Sequence, residues 1–410
     1  MTQRNKSQVA LVKCDSYDRK EVEAAVKKAL ELLGGLDNIF AEREQAGKVL
    51  PALSGNSCIV LKPNLLTKAS PEKAVTTHPE VFRAVGKALL DASFSNLKYG
   101  DSPGNVSHNS LKTAEECGIR QVADELGLKA GDFDSGTEVK FPEGRTAKKF
   151  VLCNEVLQAD GIINICKMKT HQLERITGAM KNTYGCVYGI NKAAGHALYP
   201  TAERFAGMIA DLNRMIVPRL HIMDGIVAME GNGPHSGNPV DMKVILASTD
   251  PVALDTVFCM LIHLDRELVP TNTAGHEAGV GNIADDEIEI LTSDVMDVKY
   301  DNPEFDVQRS RDYRGKFNYA FMKPLYRLLE KKPIILAGRC IGCGICVDTC
   351  PVNPKAVRLK DSRAGIGTAG QIAVYDYGKC IKCYCCQEMC PEKAITVRKS
   401  LMARIADRKW

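Results

Sequence analysis

Two cysteine runs of identical spacing constrain this chain more than any other feature. Cys340-x2-Cys343-x2-Cys346-x3-Cys350-Pro351 is followed forty residues later by Cys380-x2-Cys383-x2-Cys386-x3-Cys390-Pro391. The match continues past the cysteines: Ile341 recurs as Ile381, and Pro354-Lys355-Ala356-Val357 echoes Glu392-Lys393-Ala394-Ile395. This predicts an internal repeat, each half a cysteine loop, a short helix and a strand. Three thiolates at this spacing wrap one face of a cubane while backbone N–H groups turn toward its sulfides; the fourth points away, to the other cluster. The pattern predicts one [4Fe–4S] cluster on Cys340, Cys343, Cys346 and Cys390, and a second on Cys380, Cys383, Cys386 and Cys350. Paired Cys-x2-Cys motifs also bind zinc, but two complete runs, each closed by Cys-Pro, favour clusters and therefore electron handling. Cys385 could compete with its neighbour; keeping Cys386 preserves the spacing of the first run and leaves Cys385 a spare thiol. The stretch between the halves, Arg358 to Lys379, carries Gly365, Gly367 and Gly370 and predicts a glycine-rich hairpin or loop.

Nine of the sixteen cysteines fall in this region, so a disulfide framework does not explain them. The other seven, Cys14, Cys58, Cys117, Cys153, Cys166, Cys186 and Cys259, stand singly and read as small buried hydrophobes in a reducing compartment. A net charge of +4 over 410 residues is too small to argue for nucleic acid, and no such partner is expected. The polar start, Met1 to Lys6, lacks the apolar core of a secretory signal. The most apolar long stretch, Phe321 to Ala337, is broken by Lys323, Arg327, Glu330, Lys331 and Lys332. No membrane partner is expected, and the cytoplasm is the expected location.

Before the cysteine module the chain has an α/β rhythm. Val9–Lys13, Ser57–Leu61, Leu97–Gly100, Gly161–Cys166, Leu220–Met223 and Lys243–Ala247 read as buried strands. Helical periodicity marks Lys20–Leu33, Pro79–Ser93, Ala202–Ile216 and Pro251–Ile262 between them. The predicted fold class is α/β, a mostly parallel sheet with helices on both faces, followed by a small α+β ferredoxin-like two-cluster domain. The expected boundaries are 1–295 for the α/β domain, 296–332 for a connector with a basic amphipathic helix, Phe321 to Lys332, and 333–410 for the two-cluster domain.

In open α/β sheets ligands bind beyond the carboxyl ends of the strands. Polar and glycine-rich segments follow several predicted strands here: Lys62-Pro63-Asn64, Asp101-Ser102-Pro103-Gly104, Lys167-Met168-Lys169-Thr170-His171, Asp224-Gly225 and Glu230-Gly231-Asn232-Gly233-Pro234. Between Lys167 and His196 lie Lys167, Lys169, His171, Lys181, Lys192 and His196 among glycines and Asn182, an odd composition for packing alone. Thr177 to Asn182 could open a helix whose free N–H groups receive an anion, with Lys181 as a nearby point charge. The candidate site residues are Lys169, His171 and Lys181 for an anionic group, and Asp224 and Glu230 for protons or an additional metal. Asp255 could instead serve a helix dipole, and Asp250-Pro251 reads as a helix cap followed by a first-turn proline.

These segments, with Thr77-His78-Pro79, Gly178-Ala179-Met180-Lys181-Asn182 and Asp250-Pro251-x3-Asp255, resemble the proteins of domain-of-unknown-function family 362, often fused to a C-terminal two-cluster ferredoxin. The resemblance spans most of residues 57–260 and the cysteine region. It implies an iron–sulfur protein of mostly anaerobic metabolism, without naming a reaction. Three functions are compatible with these residues. One is an oxidoreductase that takes single electrons from an external donor or acceptor protein to an anionic small-molecule substrate. The second is an electron carrier or adapter without catalysis, and the third a non-redox enzyme whose clusters are structural or sense oxygen.

Overall fold

The computed structural model describes residues 6–104, 109–189, 191–292, 301–310, 331–362 and 370–398. The larger unit is built on one nine-stranded sheet. Its strands are β1 (Ser7–Lys13), β2 (Ile59–Pro63), β3 (Leu97–Tyr99), β4 (Lys129–Ala130), β5 (Gly161–His171), β6 (Arg175–Thr177), β7 (Leu220–Glu230), β8 (Asn238–Ser248) and β9 (Ile288–Leu291). The order is β9-β1-β8-β7-β5-β2-β3-β4, with β6 folded back on β5. Pairings β7/β5, β5/β2, β2/β3, β3/β4 and β9/β1 are parallel; β1/β8, β8/β7 and β6/β5 are antiparallel.

Both faces of the sheet are covered, as the near-continuous apolar strands require. Along β1, Ala10 and Val12 join one core cluster while Val9 and Leu11 join another. Along β2, Ile59 and Leu61 face the first core and Val60 a third. Successive side chains of a strand point to opposite faces, so burial of both sets means helices on each side. Arg19–Leu32 and Pro79–Asp91 pack on one face; Ala202–Ile216 and Pro251–Leu261 pack on the other. Asp250 caps the last of these, accepting from the N–H groups of Val252 and Ala253 at 2.8 and 2.9 Å ahead of Pro251 in the first turn.

Two strands run well past their apolar cores at the carboxyl end. β5 continues from Cys166 to His171 and β7 from Met223 to Glu230. Every residue of β5 is buried, including Lys167, Lys169 and His171. Its charged end stays extended because β6 hydrogen-bonds along it, with Lys169 opposite Thr177 and His171 opposite Arg175. The segments expected to follow the strands are therefore the strands' own ends, and their polar side chains point into the structure.

The cysteine region forms a small unit of two hairpin-like pairs, Lys332–Ile335 with Ile395–Arg398 and Val357–Asp361 with Gln371–Tyr375. The short helices Ile345–Asp348 and Cys385–Glu388 follow the cysteine loops, and the strands Val357–Asp361 and Ile395–Arg398 follow the helices, as the repeat predicts. The hairpin expected between the halves is present, its glycine-rich tip at 363–369 lying outside the described residues. The predicted basic helix of the connector also lies outside them, apart from its last residues. What is described of the connector, 301–310, packs on the larger unit: Phe305 is fully buried and Asp306 accepts from the Gly231 N–H at 2.7 Å.

Candidate functional site

The parallel strands β2, β5 and β7 end together, and the small unit sits over those ends. Gln387 donates to the Asn232 carbonyl at 2.9 Å, Asn232 to the Ile395 carbonyl at 3.2 Å, and Lys393 to the Gly237 carbonyl at 3.1 Å. Tyr384 is buried in the same apolar cluster as Phe133, Tyr184 and Phe205. Glu388 lies 2.8 Å from His171 Nε2. The His171 Nδ1 atom accepts from the N–H groups of Leu173 and Glu174 at 3.1 and 3.0 Å. The neutral ring therefore carries its proton on Nε2, facing the Glu388 carboxylate. Burial opposes ionisation of Glu388, but His171, Lys181 and His196 outweigh it and hold the carboxyl below its usual range.

A cavity remains between the units. From the larger unit it is lined by Lys169, Thr177, Lys181, Lys192 and His196, among others. From the small unit come Thr349, Cys385, Glu388 and Met389. Each of these neighbours a cluster cysteine or lies within two residues of one: Thr349 precedes Cys350, Cys385 precedes Cys386, and Met389 precedes Cys390.

Much of the cavity's polar floor is internally paired. Lys62 and Asp101, both buried, meet at 2.8 Å, and a side chain on Gly185 would strike that pair at 1.7 Å from the carboxylate. Lys169 donates to Asn64 Oδ1 at 2.9 Å and to the Val75 carbonyl at 2.5 Å. Asn64, Asn182 and Asn164 form a chain of amides at 2.6 and 2.7 Å that ends on His221 at 2.9 Å. Lys192 bonds the carbonyls of Ser102 and Pro103; burial lowers its pKa to about 8, although Asp101 pulls the other way. Burial, then Lys181 and Lys167, push the Lys169 ammonium well below its usual range.

The sequence-predicted residues divide accordingly. Lys169 and Lys181 line the cavity. His171 stands behind Glu388 as a docking group. Asp224 lies outside the cavity and is fully engaged: it accepts from Lys167 at 2.7 Å, Tyr17 at 2.8 Å and the His78 N–H at 2.9 Å. Glu230 is also outside, accepting from the Asp306 N–H at 2.8 Å. The expected anion site at the Thr177–Asn182 turn is filled by the protein itself. Asp255 accepts from the N–H groups of Ala179 and Met180 at 2.6 and 3.0 Å, and burial raises its pKa to about 7. Gly178 makes this possible, since its Cβ would lie 1.9 Å from that carboxylate. Thr177, Lys192 and His196 join the cavity beyond the candidate site residues; in the sequence Thr177 is marked only as the start of the expected anion-binding turn, and Lys192 and His196 only by the dense basic stretch.

In the small unit, Cys340, Cys343, Cys346 and Cys390 all line one cavity. Gly342 and Gly344 in that loop have φ of +67° and +81°, which lets the backbone turn its N–H groups inward. Four thiols, with no lysine or arginine among the described lining residues, fit a [4Fe–4S] cubane. Of the other set, Cys350 and Cys386 share the same buried cluster, and burial together with Cys383 and Cys380 pushes the Cys386 thiol up. Cys385 turns to the interdomain cavity. Among the described residues no three His, Cys, Asp or Glu groups gather around a single metal ion; a cubane spreads its thiolates more widely than one ion does. Six of the seven scattered cysteines are buried, and Cys58 is partly exposed.

The Tyr375 hydroxyl lies 3.0 Å from Cys386 Sγ. A hydrogen bond to a ligand thiolate stabilises the more negative, reduced state. Tyr375→Phe is expected to lower one of two midpoint potentials, by tens of millivolts on the order of such bonds, in an EPR-monitored titration. Equal potentials in both proteins would remove Tyr375 from this role.

Three buried histidines give a pH dependence. Burial lowers His171 to about 4, with Lys181 adding to it; burial lowers His196 to about 3, and burial with Arg43 lowers His221 to about 3. A histidine held low takes up its proton earlier in the unfolded chain than in the folded one. Its stabilisation is complete above about pH 6.5 and is lost as pH falls toward the folded values. The raised carboxyls of Asp255 and Glu174 gain stability as pH falls and offset part of this, so urea unfolding is expected to show a net loss on the order of 1 kcal/mol between about pH 7 and about pH 5. An unchanged midpoint would contradict the neutral assignment.

A sheet-end cavity roofed by a two-cluster unit defines an iron–sulfur electron-transfer protein. Residues 59–260 match the family described as Domain of unknown function (DUF362), and residues 339–394 match the 4Fe-4S dicluster domain. The chain is 32% identical over 277 residues to Thylakoid-associated protein sll1697 of Synechocystis sp., covering 67% of this chain and 81% of that protein. It belongs to the DUF362 family. Among solved structures, the lactate racemase apoprotein from Thermoanaerobacterium thermosaccharolyticum aligns with a TM-score of 0.37 and 14% identity. That alignment covers 64% of this chain and 58% of the racemase chain, under two thirds of its length. No helix among the described residues is long and apolar enough to cross a membrane.

Proposed function

We propose that this protein is an oxidoreductase whose reaction site is the cavity between the two units. Each [4Fe–4S] cluster, when bound, accepts and passes one electron. Cys340, Cys343, Cys346 and Cys390 would hold one, and Cys380, Cys383, Cys386 and Cys350 the other. Cys343 is exposed, so the first set faces an external donor or acceptor protein. Cys383 and Cys386 are buried, and Cys385 between them borders the cavity, so the second set faces the substrate. Lys181 and Lys192 supply positive potential there, and among the described lining residues Glu388 is the carboxylate not paired with a lysine. A cytoplasmic location goes with this reading; the relative's name places that protein at a thylakoid.

The observation that carries the proposal is the cavity's composition, with sheet-end lysines on one wall and neighbours of cluster cysteines on the other. A carrier without catalysis is the second reading, favoured by the exposed Cys343. To test between them, anaerobic protein is reduced, freed of excess reductant and mixed with the low-molecular-mass fraction of its source cells. Reoxidation of the clusters is expected, and is expected to be slowed in Lys181→Ala. Reoxidation by protein acceptors alone, indifferent to Lys181, would establish the carrier.

A further inference from the structure

The cavity's polar groups are not all satisfied from within. Lys181, at its edge, makes no hydrogen bond or ion pair to any described residue. Thr177 Oγ1 and His196 Nδ1 are fully buried and also without a partner. Their residues are 3% and 5% exposed, so water in bulk does not supply one. Leaving such groups unpaired is costly, and native structures pair them with protein, water or ligand. Charge points the same way. Asp101 is matched to Lys62, Lys192 bonds only neutral oxygens, and among the described lining residues Glu388 is the one further carboxylate facing Lys181 and Lys192.

We infer that the cavity binds the carboxylate of a small organic acid, with Lys181 as its counter-ion and Thr177 and His196 as hydrogen-bond partners. Phosphate is the less suitable oxyanion. Phosphate sites combine helix N-terminal N–H groups, arginine forks or lysines; here Asp255 occupies the helix terminus at Ala179 and no arginine is among the described lining residues, which leaves lysine alone. Leu66, Tyr184, Pro234 and Met389 complete the walls and suit the carbon body of such an acid. The inference rests on the cavity being the reaction site, and it names what that site takes.

The test is calorimetric binding to the oxidised, cluster-loaded full chain under anaerobic conditions, using acetate, succinate, benzoate, benzamide and inorganic phosphate. At least one carboxylate is expected to bind, and benzamide not to. Lys181→Met is expected to weaken that binding by about tenfold or more, as loss of a charge-assisted hydrogen bond does, whereas Lys181→Arg retains it. Thr177→Val gives a second, milder loss should the lysine variant lose iron or unfold. No carboxylate binding, binding unchanged in both variants, or tighter binding of phosphate would each overturn the inference. Binding is read without electron transfer, so the two claims fail separately. Carboxylate binding without reoxidation by small molecules removes the relay alone; reoxidation by a neutral compound, without carboxylate binding, removes this inference alone.

Discussion

Cys343→Ala and Cys383→Ala are each expected to leave about four irons per chain where the parent has about eight. The two losses should differ in consequence. Cys343 is exposed, in the set proposed to face the protein partner; without it, reduction by a protein donor is expected to collapse while a small chemical reductant still fills the remaining cluster. Cys383 is buried beside Cys385, on the cavity side. Without it the other cluster is expected to reduce normally and to discharge to small molecules at a small fraction of the parent rate. With the proposed crossing of the fourth ligand between repeats, each substitution also strands a cysteine of the other run, Cys390 or Cys350. Five of these thiols form the unit's own core with Ala356, Val357 and Ile395, so cluster loss should loosen the unit as well. Cys385→Ala is the control and is expected to keep about eight irons. Iron, sulfide and stopped-flow measurements on the three variants check these outcomes; iron loss in Cys385→Ala would make it a ligand.

The second large effect concerns stability. Asp224 is fully buried and compensates Lys167, equally buried, at 2.7 Å. Removing one partner of a buried pair leaves the other charge uncompensated in low dielectric. Asp224→Ala is expected to cost about 3–5 kcal/mol in denaturant unfolding, and the double change Lys167→Met with Asp224→Leu to recover much of it. A pair that only positions Tyr17 and the His78 turn obeys this cycle. If Asp224→Ala left stability unchanged and removed activity alone, Asp224 would be a chemical group of the site.

Much of this architecture is legible in the sequence, because it rests on local regularities. Apolar runs mark the apolar cores of the strands, helical spacing marks the helices within a few residues, and cysteine spacing marks the cluster unit. The misread parts depend on distant partners. The Lys167–His171 segment looks like a polar loop until Asp224, Asn64 and Glu388, remote in the chain, bury and pair its charges. Asp255 reads as serving its own helix, yet its carboxylate reaches across to the N–H groups of Ala179 and Met180. Likewise, nothing local in Glu388 announces His171, since their contact exists only once the two units dock. Lys169 and Lys181 were recoverable because basic residues crowd that stretch too densely for packing alone. Asp224 and Glu230 were not separable from them, since a strand-end carboxylate looks the same whether it faces a cavity or a buried lysine.

The most direct test of two clusters poised over a sheet-end cavity is a reductive titration of anaerobically purified protein, with iron and sulfide determined on the same sample. The account predicts about eight irons, about eight sulfides and two electrons taken up per chain. Tightly bound zinc in the cysteine sites, with no electron uptake, would contradict it.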